Sequence, residues 1–270
     1  MRTPEVSVVT PVYNAAPYIG EAIENILNQT FSDFEFIIID DQSTDGSWDI
    51  IQRFGQKDSR IRAFRNEHNL GIAGNRNVGI EKVRGRYVAW QDADDVSIRT
   101  RLEKQHRFLK EHPDVGIVGG YLQFFNEQGD GRIRRYAMED TALRRTIFRY
   151  SPVAQPAAMI RIEALREAGP YDLRWPPAED IDMSFRIGTH YKFANIPEVM
   201  VRYRQHGASA TFRKLRKIET STLRIRYQYS KMPVYSPTFV DWIYNVLQFL
   251  SIYVVPPRLK ITLFNYFRDV

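Results

Sequence analysis

Three carboxylates crowd into four residues at Asp92-Ala93-Asp94-Asp95. Packed together without a counter-ion they repel one another, and some of their pKa values rise. A hard divalent cation removes that conflict. Mg²⁺ or Mn²⁺ takes oxygen ligands, keeps several waters and bridges substrate phosphates, so one or two of these carboxylates are enough. A solvated acidic turn capping a helix that begins near Ser97 would leave the same trace. A second acidic segment runs from Asp40 and Asp41 through Asp45 to Gly46-Ser47. A carboxylate there can accept the imide N–H of a uracil or the amino group of another base, while Asp45 also reads as a helix cap. A third segment, His68 to Gly79, has glycines in neither the dinucleotide nor the P-loop spacing, which disfavours a hydride-transfer enzyme or an ATPase. Its glycines suit either close approach to a ligand or tight packing of a helix on a sheet, and Arg76 on the first turns can reach a base or a phosphate.

These groups act together only if the chain sets them on one rim. Val6 to Thr10 is a β-branched run, and Ile19, Ile23, Ile26 and Leu27 then recur at helical spacing up to Thr30. Phe34 to Ile39 is almost continuously apolar, as expected of a strand buried on both faces of a parallel sheet, and it stops at Asp40-Asp41. Trp48, Ile51 and Phe54 mark the next helix, Ile61 to Phe64 a strand, Ile72 to Val83 a helix, and Tyr87 to Trp90 a strand ending at the Asp92 cluster. This alternation predicts a doubly wound α/β fold, in which ligands bind beyond the carboxyl ends of the strands. A helix follows from Ile98 to Leu109, then a strand from Val115 to Phe125 in which Gly119-Gly120 marks a bulge or a close backbone approach.

Composition limits the remaining choices. The 270 residues are 43% hydrophobic, with a net charge of +6 and no cysteine. That suits one α/β domain with an appendage, and it excludes disulfide, zinc-thiolate and iron–sulfur chemistry and a cysteine nucleophile. Met1 to Glu5 leads straight into Val6 to Val9 without the flanks of a signal peptide, so a cytoplasmic protein is expected. From about Ser209 the character changes: basic residues from Arg213 to Arg226 punctuate a helix, and a Pro-broken aromatic tail follows. Phe239 to Val255 is apolar but contains Asp241, Asn245 and Gln248, which makes it a poor membrane span and a better interfacial or docked helix. With the basic helix it could hold the protein at the inner face of an anionic membrane, or pair with another subunit. The basic residues are not interleaved with a nucleic-acid recognition motif, so no nucleic-acid partner is expected.

Ser7-Val8-Val9-Thr10-Pro11-Val12-Tyr13-Asn14, the Asp40 to Ser47 segment, Asn69-x-Gly71 with Asn77-x-Gly79, and Asp92 to Asp95 occur in the order and spacing of the family 2 glycosyltransferases. The sequence resembles these GT-A enzymes over about residues 5 to 207. The resemblance implies a Rossmann-like, mostly parallel sheet flanked by helices, over residues 1–208, with a helical C-terminal extension over 209–270. It also implies a nucleotide-sugar donor, most readily UDP-linked, and inversion at the anomeric carbon. By the same resemblance Pro11, Tyr13 and Asp41 line the nucleoside pocket, Arg76 approaches base or phosphate, Asp92 meets the ribose, and Asp94, with Asp95, holds the metal. Ala178 to Arg186 resembles the family's E-D segment and makes Asp180 the candidate base, since an acceptor hydroxyl must lose its proton as the new bond forms. Asp180 would equally suit the first turn of a helix. Val201 to Ser209 resembles the closing Y-R-x-H-x-x-S segment, with His206 a metal ligand or phosphate donor and Arg204 a counter-charge for the leaving group. The expected partners are the donor and a glycan or lipid-linked acceptor. The rival readings are a nucleotidyltransferase of related fold and a non-catalytic carbohydrate-binding protein.

Overall fold

The computed structural model of the chain describes residues 3–206, 210–256 and 260. Its elements in chain order are β1 (Val6–Val12), α1 (Ile19–Leu27), β2 (Phe34–Asp40), α2 (Ser47–Gly55), β3 (Ile61–Arg65), α3 (Gly71–Lys82), β4 (Tyr87–Trp90) and β5 (Val96–Ser97). They continue as α4 (Arg101–Glu111), β6 (Val115–Asn126), β7 (Gly129–Arg134), α5 (Asp140–Thr146), β8 (Met159–Arg161), α6 (Ile162–Ala168), α7 (Glu179–Ile187), β9 (Lys192–Arg204), α8 (Ala210–Tyr229) and α9 (Phe239–Val254).

β1 and β2 are buried at every position because both faces of the sheet are covered. Val6, Val8, Phe36 and Ile38 point to one core, shared with Ile23 of α1, Ile51 of α2 and Leu102 of α4. Val9, Ile37 and Ile39 point to the other, shared with Ala73 of α3, Leu165 of α6 and Phe185 of α7. The period-two alternation of apolar side chains along each strand therefore builds a three-layer α/β/α body.

The strands run in the order β3-β2-β1-β4-β8-β6-β9-β5, with β7 paired to β6. The parallel layer expected from the alternation is β3-β2-β1-β4. Beyond β4 the sheet is mixed: β8 is antiparallel to both neighbours, β6 and β9 are parallel, and β5 closes the edge antiparallel to β9. The chain turns from β1 toward β2 on one side and places β4 on the other, which makes the β1–β4 boundary the switch point where such sheets open a crevice.

Both readings of Gly119-Gly120 hold. A Cβ on Gly119 would lie 2.5 Å from Asn195 Oδ1 and from Val153 Cγ1, and the β6–β9 register shifts between Gly120 and Tyr121. Gly79 serves packing: a Cβ there would lie 2.6 Å from Val9 Cγ1, so α3 rides directly on β1.

The described part of the C-terminal extension is docked. Ile225, Tyr229, Tyr235 and Ile252 are buried. Tyr229 stacks on Phe185 with centroids 4.6 Å apart, and the Tyr235 hydroxyl donates to the Phe185 carbonyl at 2.6 Å. The expected boundary at residue 208 lies outside the described residues, as do the side chains of Arg213 and Lys214.

Candidate functional site

Because β1, β2 and β4 are parallel and in register, their carboxyl ends share one rim. Tyr13 stands just past β1 and is 55% exposed. Pro11 is inside β1, buried and paired in register with Ile39, so it lies beneath the rim. Asp41 follows β2 and is buried. Its Oδ1 accepts from Asn66 Nδ2 (2.7 Å) and from the Leu70 N–H (2.8 Å), and Oδ2 accepts from the Gly71 N–H (2.9 Å). A carboxylate offers about four acceptor sites, so Asp41 anchors the start of α3 and keeps little capacity for anything else. Asp45 ties two loops together, accepting from the N–H groups of Ser47 (3.1 Å) and Ala16 (2.9 Å).

The acidic turn after β4 is built by side chains of the chain itself. Gln91 donates to the carbonyls of Asp92 (3.0 Å) and Asp95 (2.8 Å) and so fixes its curvature. Burial pushes the Asp92 carboxyl up to about 6, with Arg76 opposing and Asp94 adding to the rise. Asp94 Oδ2 meets His206 Nε2 at 2.7 Å. Asp95 is 1% exposed; its Oδ1 accepts from the Arg204 N–H at 2.8 Å, and its Oδ2 is buried with no partner among the described residues. Burial, then the charges of Asp92 and Asp94, hold the Asp95 carboxyl well above the usual range. Arg204 also donates to the Asp94 carbonyl (2.8 Å), pairs with Glu21, and lies over the rings of Tyr18 and Phe125. The β5–β9 pairing, Val96 with Arg202 and Ser97 with Val201, brings His206 to a residue 112 positions earlier.

Two buried guanidiniums supply counter-charge to this turn. Arg101 is fully buried, donating to the Trp90 carbonyl (2.8 Å), Ser97 Oγ (2.9 Å) and Gln105 Oε1 (3.0 Å). Burial pulls its pKa down to about 10, opposed by Asp92 and Asp95, so it stays charged at neutral pH. Arg76 pairs with Glu179 and lies 4.0 Å from Asp92, against the edge-to-face pair of Trp90 and Tyr171. It is only 6% exposed, so its guanidinium serves these carboxylates and stands back from the rim.

Asp180 lies in the first turn of α7, beyond Arg76, with Glu179 and Asp182 in the same turn. Its Oδ1 accepts from the Ile181 N–H at 2.9 Å. Burial lifts its carboxyl to about 6, the neighbouring Glu179 adds repulsion, and Arg76 opposes both. That value keeps most of the group ionised at neutral pH while leaving it basic enough to take a proton. The Tyr171 hydroxyl accepts from Gln155 Nε2 at 2.7 Å, and the same ring flanks Arg76. A cavity of about 500 Å³ beside Tyr171 is lined by Asn77, Asp172, Arg174, Asp182 and Tyr229, and none of the expected site residues lines it.

Among the described residues no three His, Asp or Glu side chains converge as a metal cage. Asp94, Asp95 and His206 therefore do not form a complete ligand set by themselves. The Asp94–His206 pair and the unpartnered Asp95 Oδ2 do suit a hard cation that draws its other ligands from water and substrate phosphates. The structure adds Glu179, Arg101, Tyr171 and Tyr18 to the site. Glu179 was visible as half of the E-D pair. Arg101 and Gln105, four apart on a helix, look like a solvated face and carry no outward sign of burial.

A sequence model described as "Glycosyl transferase family 2" matches residues 7–169. An uncharacterized glycosyltransferase of Methanocaldococcus jannaschii is 34% identical over 211 residues, which is 76% of this chain and 72% of that protein. WfaP of Escherichia coli, a UDP-Glc:α-D-GlcNAc-diphosphoundecaprenol β-1,3-glucosyltransferase, is 40% identical over 105 residues, 39% of this chain and 41% of WfaP. The chain is similar in fold to a Pyrobaculum calidifontis mannosyltransferase in complex with GDP-Man and Mn²⁺ (TM-score 0.68, 17% identity, 94% of this chain and 71% of the other). It is also similar to Staphylococcus aureus TarS in complex with UDP-GlcNAc (TM-score 0.64, 18% identity, 94% and 82%).

Proposed function

Since the chain belongs to glycosyl transferase family 2, we propose that it moves a sugar from a UDP-linked donor to an acceptor hydroxyl, with inversion, in the assembly of a polysaccharide or a lipid-linked glycan. The observation that carries this reading is the acidic turn after β4, in which burial raises the carboxyls of Asp92 and Asp95 and Asp94 meets His206, with Asp180 beyond Arg76 on the other side. In this reading Tyr13 stacks on the base at the rim, Asp41 and Pro11 shape the wall beneath it, and Asp92 lies nearest the ribose. Asp94 and His206 would hold a divalent ion, with Asp95 beside them. Bound there, a cation of this class would supply positive charge to the departing diphosphate.

The chemistry of the chain's own residues is then a single displacement. The Asp180 carboxylate accepts the proton of the acceptor hydroxyl as its oxygen bonds to the anomeric carbon. The bond from that carbon to the diphosphate oxygen breaks, the electron pair leaves on the nucleoside diphosphate, and the configuration inverts. Arg76 keeps Glu179 paired, and this pair fixes the first turn of α7 on which Asp180 stands. Arg204, tied to Asp94 and Asp95, holds the turn closed on its His206 side.

A thermal-shift series with nucleoside diphosphates tests the donor. UDP with Mn²⁺ is expected to raise Tm more than GDP or ADP, because a ligand that binds only the folded state stabilises it by an amount that grows with the logarithm of its affinity. A larger rise with GDP would transfer the reading to a guanine-linked donor, and release of pyrophosphate in place of a nucleoside diphosphate would make the protein a nucleotidyltransferase. Tyr13→Ala is expected to weaken UDP about 5- to 150-fold, the range set by loss of one aromatic stacking contact. Isothermal titration checks it, and an unchanged affinity removes Tyr13 from the nucleoside site.

A further inference from the structure

Helix α9 is oriented inside out. Its polar residues face the protein: Asp241 is buried and ion-paired with Arg149 at 2.7 Å, Asn245 donates to the Phe148 carbonyl at 2.9 Å, and Gln248 accepts from Arg226 at 2.9 Å. Apart from the buried Ile252, its large apolar residues face outward. Phe239, Ile243, Val246, Leu247, Leu250 and Tyr253 are all exposed, Leu247 to 60%. A water-facing helix normally shows the opposite pattern, and a contiguous apolar face of this kind marks a surface that something covers. The start of the helix is fixed by a reciprocal cap, in which Thr238 Oγ1 accepts from the Asp241 N–H (3.2 Å) and Asp241 Oδ2 from the Thr238 N–H (2.7 Å).

Charge identifies the covering. Residues 210–270 carry ten Lys and Arg against three Asp and Glu, whereas residues 1–209 carry 28 against 29, so the positive excess of the chain is concentrated in the extension. Glu219 and Asp241, its acidic residues in the described part, are buried and paired with Lys260 and Arg149. Among the described side chains, the exposed charges of α8 and the segment after it are Arg216, Lys217, Arg224 and Lys231, all basic. A second copy of the chain would set like charges near like charges. An anionic lipid surface neutralises them and accepts the apolar face into its acyl boundary. Among the described residues no helix is long and apolar enough to cross a membrane, so α9 would lie on it.

We propose that α9 beds its outer face into the interfacial layer of an anionic bilayer while the basic residues of α8 and Lys231 meet the lipid head groups. Full-length protein is sedimented with vesicles of phosphatidylcholine alone and of phosphatidylcholine with phosphatidylglycerol. Binding is expected to favour the anionic vesicles by tenfold or more, since each basic residue at the surface adds about fivefold, and to weaken as salt rises. The double substitution Leu247→Glu and Leu250→Glu should release the protein from both vesicles. Arg216→Glu with Lys217→Glu should abolish the anionic preference. Neither pair touches the core, so Tm should stay unchanged. Two results overturn the proposal: equal or absent binding to the two vesicles, or a lipid-free dimer that Leu247→Glu with Leu250→Glu dissolves and that does not sediment with lipid.

Discussion

The Asp180→Asn protein is expected to turn over about 10²- to 10⁴-fold more slowly than the native chain while binding the donor within twofold, the signature of a group whose work is done in the transition state. The pH profile supplies a second, independent readout. Only the ionised carboxylate accepts a proton, and burial places its midpoint at about 6, so native kcat should climb through that pH and level off above it. In the variant the limb should vanish. If it persists, it belongs to Asp92, whose carboxyl is lifted to the same range. Stability moves the other way. The folded-state pKa is raised, so the unfolded chain ionises first and the native protein loses stability as pH climbs from about 4 through 6. Asparagine escapes that loss, and at pH 7 the variant should melt at or above the native Tm. Unchanged turnover would remove Asp180 from the mechanism, and a falling Tm alongside lost activity would make it a structural residue of the helix start.

The second large effect is on stability. Arg76→Met removes the cation between Glu179 and Asp92 and leaves a buried carboxylate unpaired, with Glu179 Oε2 already lacking a partner among the described residues. Breaking one half of a buried pair costs about 3–5 kcal/mol. At about 2–4 °C per kcal/mol, Tm should fall by roughly 10 °C. Adding Glu179→Gln should return a substantial part of the loss, because the uncompensated charge is then gone. Urea unfolding at neutral pH measures both. A single-variant loss below about 1 kcal/mol would mean that this ion pair contributes no more than an exposed one.

The parallel half of the molecule was legible because its signals are local. The β-branched and apolar runs at Val6 and Phe34 are buried on both faces, and their period and length follow from that burial alone. The acidic turn was legible for the same reason, since it ends a short strand within its own sequence. The mixed half was less so. β8 has three residues and β5 two, too short for any periodicity to register, yet these strands decide that β9 comes home beside Asp94. The charge logic of the site was half visible. Repulsion among Asp92, Asp94 and Asp95 pointed to a cation, and the sequence offered no way to see that Arg76 and Arg101 are sunk below them. An arginine's burial is decided by who packs over it, which is tertiary information.

The short β5–β9 ladder has a consequence for how the protein comes into being. Asp94 leaves the ribosome more than a hundred residues before His206, the partner that meets it, and Asp95 waits equally long for the amide of Arg204. During synthesis the parallel half can collapse and shelter its apolar strands, with Asp41 and Asp92 already beside their partners, but Asp94 and Asp95 lack theirs until β9 slides into place at the far edge. A growing polypeptide therefore completes the acidic turn only late in its translation, with the emergence of residues 201–206.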